Sequence, residues 1–267
     1  RDVLGSRGLG DVYKRQLVAV ATMMSCSFSA CSDNDDPTPD TGTSETDAKF
    51  EAIAKQYLDH TVYVTYKNLA DETEQLVKDL QALKSSKTDA NVKATCETFL
   101  EARAWWEKSE AFLYGAATDF GIDPHIDSWP LDLDGLQTAL KNTEQVEAMG
   151  GEDGDIYAGE KLGNSLLGFH GIEYILFEDG SPKSVSKISD LHLTYAVAVA
   201  GDLRNRCWQL ELSWRGESAV NADRVAKVAN ELELPYTVNS GEYSYGENML
   251  NACLLYTSPS PRDPKTS

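Results

Sequence analysis

The chain has 267 residues, with 24 Lys and Arg against 43 Asp and Glu, and a formal net charge of −19. That length can bury a sizeable core in one large domain or two small ones. The acidic balance excludes the broad basic surface that a nucleic acid or an anionic membrane face requires, so no nucleic-acid partner is expected.

Both ends stand apart from the rest. Residues 1–16 and 253–267 resemble translated sequencing-adapter sequence, as in Asp11-Val-Tyr-Lys-Arg-Gln16 and Thr257-Ser-Pro-Ser-Pro-Arg262, and are set aside from fold reasoning. The natural chain is then expected to enter near Leu17 and to stop soon after Leu250, incomplete in its C-terminal half. Residues 17–31 carry the apolar run LVAVATMMSCSFSA and close on Cys31. The run is shorter than the roughly 20 residues a membrane span needs and has the length of a signal-peptide core. A small residue before Cys31 and polar sequence after it read as a lipoprotein processing site, with Cys31 lipidated. The expected location is the bacterial cell envelope, with the membrane met through the lipid alone. Residues 32–46 are poor in hydrophobes and rich in Asp, Ser, Thr and Pro, a flexible acidic tether that is either a plain linker or a surface-export signal. Of the remaining cysteines, Cys96 and Cys207 read as small buried hydrophobes rather than a disulfide, since no CxxC spacing is present.

Residues 47–252 read as an all-α helical domain. Leu69, Thr73, Leu76, Leu80 and Leu83 recur at steps of four and three, one apolar helical face. The preceding stretch, with Phe50, Ile53, Tyr57 and Tyr66, continues that stripe in the same helix or a separate one. A second helix is expected from Thr88 or Asp89 to Gly115, with the stripe Val92, Cys96, Phe99, Arg103, Trp106, Glu110 and Leu113. Arg103 and Glu110 therefore fall on the face that should be buried. An irregular stretch, TDFGIDPHIDSWPLDLDG, follows, then short helices near Leu136–Leu140 and Glu144–Met149 and a loop at GGEDGD. Residues 160–177 are apolar on nearly every side and read as a central buried helix. Further helices are expected over 189–214 and 222–232, and a helix bundle with a long structured crossover loop fits this order.

His170 and Glu173 stand three residues apart on one face of the apolar helix, with Gly168 and Gly171 leaving room for a close neighbour. Buried polar groups need partners, and Glu110 and Arg103 on the second helix offer them, either to each other or around a metal. Gly168-Phe-His-Gly-Ile-Glu173-Tyr-Ile-Leu-Phe177 resembles the GxHxxE motif of imelysin-like (peptidase M75-like) proteins. Arg103-Ala-Trp-Trp-Glu-Lys-Ser-Glu110 resembles the family helix that precedes it, and Gly121-Ile-Asp-Pro-His-Ile-Asp-Ser-Trp-Pro130 its Asp- and Trp-Pro-bearing loop.

The resemblance implies an all-helical fold of two bundle-like halves, related to the metal-binding domain of periplasmic iron-uptake lipoproteins. It implies a metal site of His170, Glu173, Glu110 and Asp127, with Arg103 orienting Glu110 or Glu173. One imidazole and three carboxylates suit iron first, and zinc or manganese as well. Trp106 and Trp129 are expected in the core or, alternatively, as walls of the site, and His125 on an exposed loop or, alternatively, as an auxiliary ligand. Three functions compete. The first is a binding lipoprotein capturing iron for uptake or homeostasis, with an uptake partner protein. The second is a metallopeptidase, which the tyrosine at 174, in place of a second histidine, disfavours. The third is a helical haem- or partner-binding lipoprotein whose buried polar cluster is structural.

Overall fold

The computed structural model describes residues 45–238 and 241–257. The leader, Cys31 and nearly all of the acidic tether lie outside the described residues.

Helix α1 (Glu45–Tyr57) runs through one π turn, Leu58–Val62, into α2 (Tyr63–Ser85), so the first long element is one continuous helix. Leu69, Thr73, Leu76, Leu80 and Leu83 are all fully buried, as their spacing predicts. Burial of each such leucine contributes about 1.5–3 kcal/mol before entropy is counted. The earlier half differs from expectation. Phe50 and Ile53 are 54% and 62% exposed, while α1 packs on α12 (Tyr245–Thr257). Of the stretch 253–267, the backbone of 253–257 forms the last turn of α12.

Helix α3 (Asp89–Lys108) starts where Thr88 accepts a hydrogen bond from the Asn91 backbone N–H at 3.1 Å. It tightens into a 3-10 turn, Ser109–Phe112. That change of pitch corrects the expected stripe. A 3-10 turn advances each residue by about 120° instead of 100°, so Phe112 takes the buried position and Glu110 turns out to solvent. Short helices follow: α4 (Ala116–Asp119), α5 (Ile122–Ile126), α6 (Leu133–Lys141), α7 (Thr143–Met149) and α8 (Gly154–Lys161). Asp132 and Asn142 cap α6 and α7 by accepting from the Gly135 and Gln145 backbone N–H groups. The expected helix over 160–177 is shorter. A 3-10 turn at Asn164–Leu166 precedes α9 (Gly168–Leu176), which then enters a two-residue hairpin of β1 (Phe177–Glu178) and β2 (Ser181–Pro182). Asp179 and Gly180 both take positive φ, 50° and 72°, as the two central residues of a tight hairpin turn require.

The central buried helix is instead α10 (Asp190–Arg215), which packs on α2, α8 and α9 while α2 also packs on α3. Its burial is not purely apolar, since Asp202, Asn205, Gln209, Glu211 and Ser213 are buried too. Each has a partner. Asn205 donates to Asp155 at 2.9 Å, and Gln209 donates to the Pro235 carbonyl at 2.7 Å. Arg224, on α11 (Ala222–Val225), donates to Glu211 and Asp71 at 2.6 Å and to Glu74 at 2.8 Å. Cys96 and Cys207 are buried free thiols, and burial pushes the Cys96 pKa up to about 12. Among the described residues, no helix is long and apolar enough to cross a membrane.

Candidate functional site

The site is built where α3, α5 and α9 meet. Gly168 opens α9 with φ +65°, and a Cβ there would stand 1.9 Å from the Ile126 carbonyl oxygen. Only glycine admits both that conformation and that approach. The contact brings the last turn of α5 against the first turn of α9, and so Asp127 against His170. Gly171 likewise admits a close neighbour, since a Cβ there would come within 2.8 Å of the Leu166 carbonyl oxygen. The two glycines thus permit the close approach expected of them.

Asp127 is the hub. One of its oxygens accepts from Arg103, and the other accepts from the Trp106 indole N–H at 2.8 Å. His170 Nε2 lies 3.2 Å from Asp127 Oδ1, and His170 Nδ1 lies 3.2 Å from Glu173 Oε2. Arg103 also reaches Glu107 at 2.6 Å and lies over the Phe169 ring, 5.2 Å from its centroid. The expected pairing of Arg103 with Glu110 or Glu173 is therefore replaced by Asp127 and Glu107. The reason is geometric: Glu107 is one turn along α3, whereas the 3-10 turn carries Glu110 away.

These contacts set the protonation states. Hydrogen bonds to Asp127 and then Glu173 raise the His170 pKa to about 9 against burial, so its imidazole is held as the cation at neutral pH. Burial works to raise the Asp127 carboxyl, but hydrogen bonds from His170, Arg103 and Trp106 outweigh it and hold it below the usual range. Glu173 is lowered by its hydrogen bond to His170. Glu110 is raised, by burial and by the neighbouring Glu107, Asp123 and Asp127 carboxylates.

A cleft of about 620 Å³ opens above His170 and Glu173, walled by Phe99, Leu100, Trp129, Leu133 and Phe177. Trp129 is 72% exposed, which corrects its expected place in the core. It is a wall of the cleft, with its ring centroid 4.8 Å from that of His170. Trp106 is buried as expected. The structure thus brings His170, Glu173, Asp127, Arg103 and Trp129 together and leaves Glu110 exposed at the edge.

In kind, the donors fit a hard-to-borderline cation. In number they do not. Among the described residues, no group of three or more His, Cys, Asp or Glu side chains is placed to hold a metal ion. Both Asp127 oxygens are already taken, and Glu173 faces a single imidazole nitrogen.

Sequence reasoning missed a second polar pair. His125 is buried rather than exposed, and its Nε2 lies 2.7 Å from Asp202 Oδ2. The polar positions 202, 205 and 209 at helical spacing on α10 were the signal that a buried partner was needed. A short Pro124-containing helix, where a loop was expected, turns His125 inward.

Known proteins are similar to this chain in sequence and in fold. The chain resembles, at 31% identity over 163 residues, the curated iron-regulated protein A of Synechococcus elongatus; the match covers 61% of this chain and 40% of that protein. A crystal structure described as an iron-regulated protein A precursor from Parabacteroides distasonis superposes with a TM-score of 0.57 at 24% identity, over 81% of this chain and 58% of that one. An imelysin-like protein from Psychrobacter arcticum gives a TM-score of 0.52 at 13% identity, over 82% and 62%. Both structural likenesses bear out the all-helical fold, and the chain spans less than two thirds of each relative's length. Residues 62–253 match the family model of imelysin, Peptidase_M75, and the chain belongs to that family.

Proposed function

We propose that this chain is an iron-binding protein of the cell envelope, serving uptake or homeostasis, with its ligand taken in the cleft above His170 and Glu173. The observation that carries the reading is the His170–Glu173 pair at the base of a cleft, one imidazole nitrogen 3.2 Å from a half-exposed carboxylate. The printed name of the Synechococcus relative, iron-regulated protein A, supports the choice of iron among the metals such donors accept. In this reading His170 Nδ1 and Glu173 hold the ion. Asp127 accepts from His170 Nε2–H and fixes the ring, the usual task of a carboxylate behind a ligating histidine. Arg103 offsets the Asp127 charge, and Glu110 adds to the negative field without ligating. Anchoring through a lipid on Cys31 belongs to the same proposal.

The test is the iron retained per chain after anaerobic loading with ferrous ion and desalting. The wild type is expected to retain iron, and a His170→Ala, Glu173→Ala double variant with the same circular dichroism to lose it. Equal retention by the two proteins, or none by the folded wild type, would sink the reading.

A further inference from the structure

The cleft beside His170 has the size and the lining of a small-molecule site. It measures about 620 Å³, inside the range of ligand pockets, and its walls include the apolar side chains Phe99, Leu100, Trp129, Leu133 and Phe177. Such walls suit a flat apolar body. Trp129, 72% exposed, meets the His170 ring at 57° and keeps indole surface open to a second ring.

The polar groups decide what end such a body carries, and every positive one is already engaged. His170 is held as the cation, but each of its nitrogens faces a carboxylate, Asp127 or Glu173, 3.2 Å away. Arg103 is bound by Asp127 and Glu107. Lys187 pairs with Glu178 on the rim, and Lys183 donates to the Tyr174 carbonyl and lies over its ring. Among the described residues, no lysine or arginine lines the cleft itself. The groups left open are negative. Glu173 bonds His170 through Oε2 alone, on a side chain 53% exposed, so Oε1 stays open to the cleft. Asp179, on the rim, has no ion-pair partner among the described residues. An ionised carboxylate only accepts, so a group seated against Glu173 must donate. An anion would meet two open carboxylates and no unengaged cation. A cation would meet an open acceptor and aromatic faces.

We infer that the cleft binds a small aromatic amine as its ammonium, with the ring on Trp129 and the ammonium donating to Glu173 Oε1. His170 keeps its proton and its bonds to Asp127 and Glu173, so binding needs no metal and no proton transfer. The inference goes beyond the iron reading and does not rest on it, so either can fail alone.

The experiment is titration calorimetry of the whole chain, stripped with EDTA and held at neutral pH, with three probes that share one ring system. These are 2-naphthylmethylamine, 2-naphthalenemethanol and 2-naphthoate, which carry a positive charge, none and a negative charge. The amine is expected to bind at least about tenfold tighter than the naphthoate, the size of one charge-assisted hydrogen bond, with the alcohol between them. Glu173→Gln should bring the amine down to the affinity of the alcohol. Trp129→Ala should weaken all three at least about threefold, the size of one ring-on-ring contact. Both side chains are more than half exposed, so neither variant should unfold, which circular dichroism checks. The inference is overturned if the naphthoate binds as tightly as the amine or if the amine's advantage survives Glu173→Gln. It is overturned equally if Trp129→Ala leaves the affinities unmoved, or if none of the three probes binds.

Discussion

Replacing Gly168 by alanine tests how the site is assembled, because two costs fall there and can be separated. The first is conformational: φ is +65°, where an alanine pays about 1–2 kcal/mol. The second is steric. The added Cβ would stand 1.9 Å from the Ile126 carbonyl oxygen and 2.4 Å from its carbon, backbone atoms that cannot swing aside. Forcing a methyl into such a contact adds about 1–3 kcal/mol, since α5 and α9 must move apart. Gly121 supplies the control, with φ +61° and nothing within 4 Å of its would-be Cβ. In urea denaturation followed by circular dichroism, Gly121→Ala is expected to cost about 1–2 kcal/mol and Gly168→Ala about 2–5 kcal/mol. The larger loss should come with a second signature. Moving α9 off α5 draws His170 from Asp127, so its pKa, read by NMR, should fall from about 9 towards 6.5 in Gly168→Ala alone. Equal costs for the two substitutions, with the His170 titration unmoved, would refute the claim that this contact builds the site.

Two further predictions concern charge. The His170 pKa is raised on folding, so its contribution to stability is fully present below pH 6.5 and lost as pH rises through about 9. Asp127 and Glu173 are lowered, so theirs is present above the ordinary carboxylate range and lost as pH falls through it. Stability from this cluster should therefore peak at mildly acidic pH and decline by about 1–2 kcal/mol towards pH 9, allowing for solvent screening. Denaturation midpoints across that range check this, and Asp127→Asn should flatten the decline. Arg224→Ala should cost about 1.5–3 kcal/mol, because Glu211, 2% exposed, loses one of its two arginine partners and keeps Arg215; a loss below about 1 kcal/mol would refute this.

Much of this protein is legible along the chain. The steps of three and four from Leu69 to Leu83 specify a buried helical face, because an apolar stripe has no stable place but against another element. Thr88 and Asp132 mark helix starts because their side chains satisfy backbone N–H groups that the helix cannot. His170 and Glu173 share a face by spacing alone, and the paired glycines announce that something approaches them closely. What approaches was decided in three dimensions. A change of helical pitch after Lys108 moves Glu110 out of the face its heptad position assigns, since spacing arguments hold only while the pitch does. Arg103 faces Asp127, and Trp129 stands open beside His170, because α5 and α9 dock through a backbone contact that no local pattern encodes. His125 turns inward to meet Asp202 from a helix of only five residues, too short to show a period. Local sequence determines which groups each element presents. Which of them meet depends on how the elements dock, and docking is set by the whole core at once.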